Sequence, residues 1–441
     1  MPAKMLSAWW GVADWRNWAG DQRCRPAKLV RPQTRDELAE ALAEAAAAGE
    51  RLSVAGAGHS FTETAMTDGT MVDVGALCGV LDADPGAGRV RVGAGTTIAD
   101  LNRELDGLGL ALENLGDIDH QTIAGAISTA THGTGARLGN ISAQVEAVEL
   151  VLADGSVREL DGSQPDLLRA ARVGLGALGA ISALTLCCVP AFTLRRVDAP
   201  RPLEAVLDAF EELADANDHF ELFTFPYSDT ALVLERNRTE EEPRPPRPLA
   251  AWLNDVVLEN WALGALCTAG RLAKPAIPAL SRLASRLASG GEYVDRSHAI
   301  FANERRVRFT EMEYGVPREH GPEALRRVTE WVRGNRYPVF FPIEMRVVAG
   351  DDALLSPSHE RDTAYIAVHQ YRGMEWRPYF EAVEEIMDDY DGRPHWGKRH
   401  FQTAATLAPR YPRWAAFQAA RDTLDPGRTF ANEYSERVLG P

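Results

Sequence analysis

The chain has no excess of basic charge, no apolar run long enough to cross a bilayer, and no cysteine spacing that would hold a metal or a disulfide framework. Across 441 residues, 47 Lys and Arg stand against 63 Asp and Glu, a formal net charge of -16. A field of that sign repels polyanions, which excludes nucleic-acid binding and disfavours acidic substrates. The apolar stretch from Asn260 to Gly270 is far shorter than the ~20 residues of a membrane-spanning helix. Residues 1–20 scatter Lys4, Asp14 and Arg16 among tryptophans instead of forming an apolar segment ahead of a cleavage site, so no export signal is expected. The five cysteines, Cys24, Cys78, Cys187, Cys188 and Cys267, are odd in number and lack metal-ligand spacing. Reduced, buried thiols in a cytoplasmic protein are the expectation.

What remains is an ordinary globular composition, 45% hydrophobic and 25% charged, which sets disorder aside, and a length that suggests two or three domains. Thr34 followed by Asp36, Glu37 and an alanine-rich run to Gly49 predicts a capped helix. Arg51–Ala55, Met71–Val74 and Arg89–Val92 read as short strands, and Ile98–Leu105 as a second helix. Val145–Leu152 and Val157–Leu160 flank Asp154-Gly155 and predict a hairpin. Pro165–Ala171 starts a helix with proline, and Ala180–Val189 reads as a buried strand. This order suits an α+β domain better than a doubly wound one. Near Pro190 the texture turns aromatic and proline-rich, which marks a domain boundary. The charged, proline-rich segment 239–248 reads as an exposed loop with no packing role. From Leu249 to Ser289, apolar residues recur at helical spacing with Trp252 and Trp261, and a helix packed on a neighbouring domain is favoured over a membrane-surface or oligomer-forming one.

Two glycine-spaced turns carry the chemistry. The run Arg51 to Ser60 contains Gly56 and Gly58 around Ala57, and the stretch Gly125 to Gly135 combines small side chains with hydroxyls. Turns of this kind let successive backbone N–H groups point at a phosphate and leave room for a flat ring. His59 closes the first turn, and a neutral imidazole held beside an isoalloxazine methyl group can bond to it covalently. Gly174-Leu-Gly176-Ala-Leu-Gly179 matches a dinucleotide fingerprint literally, but a helix precedes it and a strand follows. That is the reverse of the required context, so the three glycines are assigned to a tight connection and NAD is not inferred.

These runs, with Thr122 to Gly135 and His395-Trp-Gly-Lys398, resemble the aldonolactone oxidases and alditol oxidases of the vanillyl-alcohol-oxidase type flavoproteins over nearly the whole chain. The resemblance implies an α+β fold: a two-subdomain FAD-binding domain over 1–190, a cap with a large antiparallel sheet over 191–410, and a C-terminal segment, 411–441, returning to the FAD domain. It implies FAD, covalently linked through His59, with further cofactor contacts at Val54, Ala55, Gly56, Ala57, Gly58, Ser60, Gly116, Thr122, Gly125, Thr129, Ala130, Thr131, His132 and Ile181.

In the cap, Phe341 to Val347 alternates, so Glu344 and Arg346 share one face of a strand. A cross-strand ion pair on a solvated sheet is the alternative, but the neighbours are apolar and the family has a Glu-x-Arg in its active site. The resemblance also brings His369, Lys398 and Asp117 to the reaction. Gly116-Asp-Ile-Asp119 resembles the lactone-oxidising members, and a glycine at 116 would leave space for dioxygen. His395 and His400 find no acidic or cysteine partners at metal spacing, so no metal is expected. The expected reaction is oxidation of a secondary alcohol of a gulono-, galactono- or arabinono-1,4-lactone by hydride transfer to flavin N5, with O2 reduced to H2O2. An alditol oxidase and a lactone dehydrogenase using another acceptor are the alternatives within the family. A binding protein that has lost its flavin is the alternative outside it.

Overall fold

The computed structural model describes residues 14–246, 261–287, 290–302 and 307–441. Its N-terminal part forms as the local signals dictate. Thr34 caps the helix Arg35–Ala47 by accepting from the Glu37 amide, and Leu38, Leu42 and Ala45 bury one face of it. That face packs against strands Leu52–Ala55 and Val145–Val151. Lys28–Val30, Thr70–Asp73 and Leu52–Ala55 form a parallel sheet in that order. A second sheet is wholly antiparallel, in the order Val157–Leu160, Val145–Val151, Ala180–Cys187, Arg89–Gly93, Val80–Asp84. The predicted elements appear with ends shifted by a residue or two. Val80–Asp84 escaped prediction because this edge strand is mostly exposed and carries Asp82 and Asp84 where apolar alternation would signal a strand.

The second half is built on one eight-stranded antiparallel sheet. Its order is Gly291–Arg296, Thr193–Pro202, Thr230–Thr239, His219–Thr224, Ile343–Val348, Thr363–Tyr371, Phe309–Pro317, Arg393–Pro394. Alternation gives the four longest-buried central strands two distinct faces. Leu222, Met312, Met345 and Ile366 point one way and pack on helices Leu203–Asp208, Phe210–Ala216, Gly321–Asn335 and Arg377–Asp388. Each such side chain contributes about 1.5–3 kcal/mol on burial. Their combined weight fixes the register, because a slip of one residue would turn the whole set outward. The opposite face then carries Glu221 across from Arg346 and Glu311 across from His369.

The C-terminal segment closes on the N-terminal half. Tyr411, Phe417, Leu424, Phe430, Tyr434 and Val438 join the same apolar core as Leu38, Leu52 and Val148. The Leu52 amide donates to the Thr429 carbonyl at 2.8 Å, and the Asn432 amide group reaches the carbonyls of Thr64 and Met66 at 2.9 and 3.0 Å.

Three expectations are corrected. The single helix read over 249–289 is, in its described part, two helices, Leu263–Leu272 and Ile277–Leu287, separated by a 3-10 turn at Lys274–Ala276 where Pro275 denies an amide donor. Trp252 and the rest of 247–260 lie outside the described residues. The loop after Thr239 does pack, through a bridge between Arg244 and Val294. All five cysteines are free, but only Cys188 and Cys267 are buried, whereas Cys78 and Cys187 are exposed.

Candidate active site

Two cavities meet along the seam between the halves, sharing Gln121. The first is walled entirely by residues of the N-terminal half. Its walls include Val54, Gly56, Ala57, Gly58, His59, Ser60, Thr122, Gly125, Thr129 and Ile181. Gly116, Thr131 and His132 line the second cavity instead. Ala55 and Ala130 line neither; both are buried, with 2% and 0% exposure, and their methyls belong to the core. The Gly174–Gly179 loop connects a helix to a strand as read from sequence, but Gly174, Leu175, Gly176, Leu178 and Gly179 also line the first cavity. The sequence reading missed that second use.

The first cavity fits a flavin dinucleotide. A Cβ on Gly56 would lie 2.2 Å from the Thr122 hydroxyl oxygen, and Gly58 sits at φ +70, so glycine keeps the turn narrow and open to a ligand. The Thr122 hydroxyl and His59 Nδ1 are buried with no partner in the protein, a costly state unless a ligand satisfies them. Burial, with the positive neighbours His120, Lys398 and Arg308, pushes the His59 imidazole down to about 4. It is therefore neutral and nucleophilic at neutral pH.

The second cavity lies under the charged face of the cap sheet and gathers all five candidate reactive side chains: Asp117, Glu344, Arg346, His369 and Lys398. Arg346 is ringed by Asp117 at 2.7 Å, Glu221 at 2.9 Å and Glu344. Arg236 also reaches Glu221, at 2.6 Å. Two guanidiniums thus face the buried carboxyls of Glu221 and Glu344 and the partly exposed one of Asp117. Burial, together with Asp117 and Glu221, outweighs Arg346 and pushes the Glu344 carboxyl well above the carboxylate range.

Beside it, Glu311 pairs with Lys398 and stands 3.5 Å from His369 Nε2. Burial opposes its ionisation, but Lys398 and His369 outweigh burial and hold it down at about 2. His369 Nδ1 donates to the Pro342 carbonyl at 3.1 Å, which fixes its tautomer and leaves Nε2 facing the cavity. Glu313, on the same face of Phe309–Pro317, lies 3.2 Å from His132 Nε2. It also neighbours His395, contrary to the expectation that His395 has no acidic partner: their ligand atoms and those of His132 lie within 4.8 Å of one another. Glu221, Glu311 and Glu313 were not read from sequence. Their signal was a carboxylate inside an otherwise apolar strand, the pattern that exposed Glu344.

Gly116 lines this cavity, and a Cβ built there would meet the His132 carbonyl oxygen at 3.0 Å. Gly133 locks the same contact, since a Cβ on it would lie 2.2 Å from both Asn114 Oδ1 and the Leu115 carbonyl.

Comparison with known proteins bears on this geometry. Residues 184–438 match the family described as D-arabinono-1,4-lactone oxidase, and residues 26–161 match the FAD binding domain. The chain is 51% identical over 429 residues to L-gulono-1,4-lactone dehydrogenase of Mycobacterium tuberculosis (strain ATCC 25618 / H37Rv), covering 97% of this chain and 99% of that one. It is 35% identical to L-gulonolactone oxidase of Bos taurus, covering 99% and 100%, and 36% identical to alditol oxidase of a Streptomyces species, covering 96% and 98%. Among solved structures, a solvent-stable cholesterol oxidase superposes with a TM-score of 0.83 at 19% identity over 97% of both chains, which establishes a shared fold.

Burying neutral histidines makes the fold acid-sensitive. Burial pushes His59 and His219 down to about 4 and His395 to about 3. An unfolded histidine binds its proton near 6.5, so the unfolded state takes up more protons as pH falls from 6.5 towards 4. Stability is expected to fall over that window by a few kcal/mol in all. Urea midpoints measured from pH 7 to pH 5 check this, and the His219→Gln variant should lose less than the wild type over the same range.

Proposed function

The chain belongs to the D-arabinono-1,4-lactone oxidase family, and from that membership we propose that it oxidises a secondary alcohol of a sugar 1,4-lactone with FAD as its cofactor. It is a flavin-dependent oxidoreductase. The observation that carries the reading is the meeting of the neutral His59 cavity with a second pocket holding Glu344, Arg346, His369 and Lys398. When bound, the flavin supplies a two-electron acceptor for the carbinol hydride. Everything else the reaction needs comes from side chains.

A lactone hydroxyl needs a proton acceptor and a fixed orientation. We assign the proton to His369 Nε2, because Nδ1 already donates to Pro342 and the Glu311 carboxylate stands 3.5 Å from Nε2. Lys398, held by Glu311, orients the hydroxyl oxygen. Glu344, kept protonated, donates a hydrogen bond to the substrate, and Arg346, pinned by three carboxyls, supplies fixed positive charge for the negative charge that develops in the cavity. Asp117 holds that guanidinium in place and is a positioning residue.

Three finer points belong to the same proposal. His59 carries the flavin covalently, supported by its neutral, unpartnered Nδ1 at the cavity wall. The division at 1–190, 191–410 and 411–441 is supported by a second apolar core built almost wholly from the middle segment and by the return of 411–439 to the first core, which Leu194, Ile300, Leu354 and Trp396 also join. The exposed free thiols of Cys78 and Cys187 support a reducing, cytoplasmic setting.

For the acceptor, dioxygen yielding H2O2 is the leading reading, as the family description and the Bos taurus relative's name suggest. A lactone dehydrogenase is the second. It is favoured by the name of the 51% identical relative. Parallel assays of peroxide release and dye reduction on gulono-, galactono- and arabinono-1,4-lactones and on xylitol and sorbitol separate the readings. Lactone turnover with peroxide is expected; dye reduction without peroxide selects the dehydrogenase, and turnover of polyols alone defeats the lactone reading. His369→Gln should lower kcat by ~10²–10⁴-fold while flavin absorbance stays as in the wild type; a change below tenfold removes His369 as the base. Acid precipitation should leave the flavin with the protein and release it from His59→Ala; free flavin from the wild type would exclude the covalent link.

A further inference from the structure

Residues 261–287 hold four cations, Arg271, Lys274, Arg282 and Arg286, and no Asp or Glu, in a chain whose net charge is -16. Most arginines elsewhere in the fold face a carboxylate, as Arg296 and Arg318 do. None of these four has an ion pair among the described residues, and neither do Arg308 and Arg372 beside them. Positive charge is segregated here and left unneutralised.

The same segment carries the protein's exposed apolar surface. Cys267 and Gly270 bury one side of the helix Leu263–Leu272, and Leu263 and Leu266 on it pack against a cluster that includes Phe309 and Phe341. Its other side presents Ala265 and Ala269 in line with Trp261 and Leu272, which are 59% and 80% exposed. The following helix adds Leu283 at 46%, next to the exposed Arg282 and Arg286. The two other large apolar side chains exposed among the described residues, Leu81 and Val157, sit apart on the edge strands of the five-stranded sheet. Between the helix and strand Thr363–Tyr371 runs an open groove lined by Arg271, Arg308, Arg372, Tyr371 and Trp261.

We propose that this face docks on an anionic phospholipid surface, with the Trp261–Leu272 ridge entering the headgroup–acyl boundary and the surrounding cations meeting lipid phosphates. An apolar ridge rimmed by Lys and Arg is the arrangement such a surface selects. The acidic remainder of the protein does not prevent it, because charges more than about 10 Å away are screened at physiological salt. The charge of the patch favours lipid over a second copy of this chain, whose matching face would present the same unpaired arginines. The docked helix is also a wall of the second cavity, which Leu263 lines from within, so the membrane would lie directly outside the substrate pocket.

Flotation of the full-length holoprotein with vesicles tests this. Partition onto equimolar phosphatidylglycerol and phosphatidylcholine is expected at low salt, with little binding to phosphatidylcholine alone and a marked loss in 0.5 M salt. Arg282→Glu combined with Arg286→Glu should weaken binding by at least about tenfold. Leu272→Asp should weaken it independently, with flavin absorbance and circular dichroism of both variants as in the wild type. Failure to float with anionic vesicles, equal binding to neutral ones, or wild-type binding by both variants would overturn the proposal. So would a lipid-free dimer, seen by sedimentation, that Leu272→Asp dissociates, since that assigns the face to a second copy.

Discussion

The buried charge around Arg346 is the constraint on which the rest of the structure depends. A guanidinium taken out of water is strongly destabilising unless carboxylates meet it in good geometry, and Asp117, Glu221 and Glu344 come from three separate segments to do so. Asp117 belongs to the N-terminal half, whereas Glu221 and Glu344 lie on adjacent strands of the cap sheet. The two halves therefore cannot separate or shift by a residue without stranding a charge. Because the apolar face of the same sheet sets the register, helix packing on one side and electrostatics on the other specify one alignment.

That arrangement also explains the division of protonation states in the pocket. Burial, with Asp117 and Glu221 nearby, pushes the Glu344 carboxyl up despite Arg346, while Glu311, with Lys398 and His369 on either side, stays ionised. Two carboxyls on strands separated by Thr363–Tyr371 thus take opposite roles, one donating a hydrogen bond and the other steadying a cation. On its cap side the pocket is walled by Phe309 and Phe341, with Leu263 from the helix outside.

Much of this was legible in the sequence where the signal was local. Thr34 announced a helix by capping, the two glycine turns announced the dinucleotide cavity, and strand alternation put Glu344 and Arg346 on one face. What escaped was set by pairing at long range. Glu221 and Glu311 matter because of what stands opposite them, Arg346 and His369, and a register between distant strands is not written in either strand alone. The Gly174–Gly179 loop was read correctly as a connection, yet its place against the first cavity comes only from how strand Ala180–Cys187 sits between two neighbours. Ala55 and Ala130 lie within the same runs with their methyls turned into the core, which alternation along so short a segment does not announce.

The last residues of the chain have a temporal consequence. The Leu52 amide, at the start of the strand leading into the His59 turn, is satisfied by Thr429, and Asn432 ties down the carbonyls of Thr64 and Met66 beyond it. During synthesis these ties are missing until the final segment has left the ribosome, although the Trp18 amide, 2.7 Å from the Gly58 carbonyl, and the pairing with Thr70–Asp73 already hold the turn from the N-terminal side. The full set of contacts around the glycine cradle is complete only after translation, and a chain stopped short of residue 429 would lack the share that Thr429 and Asn432 supply.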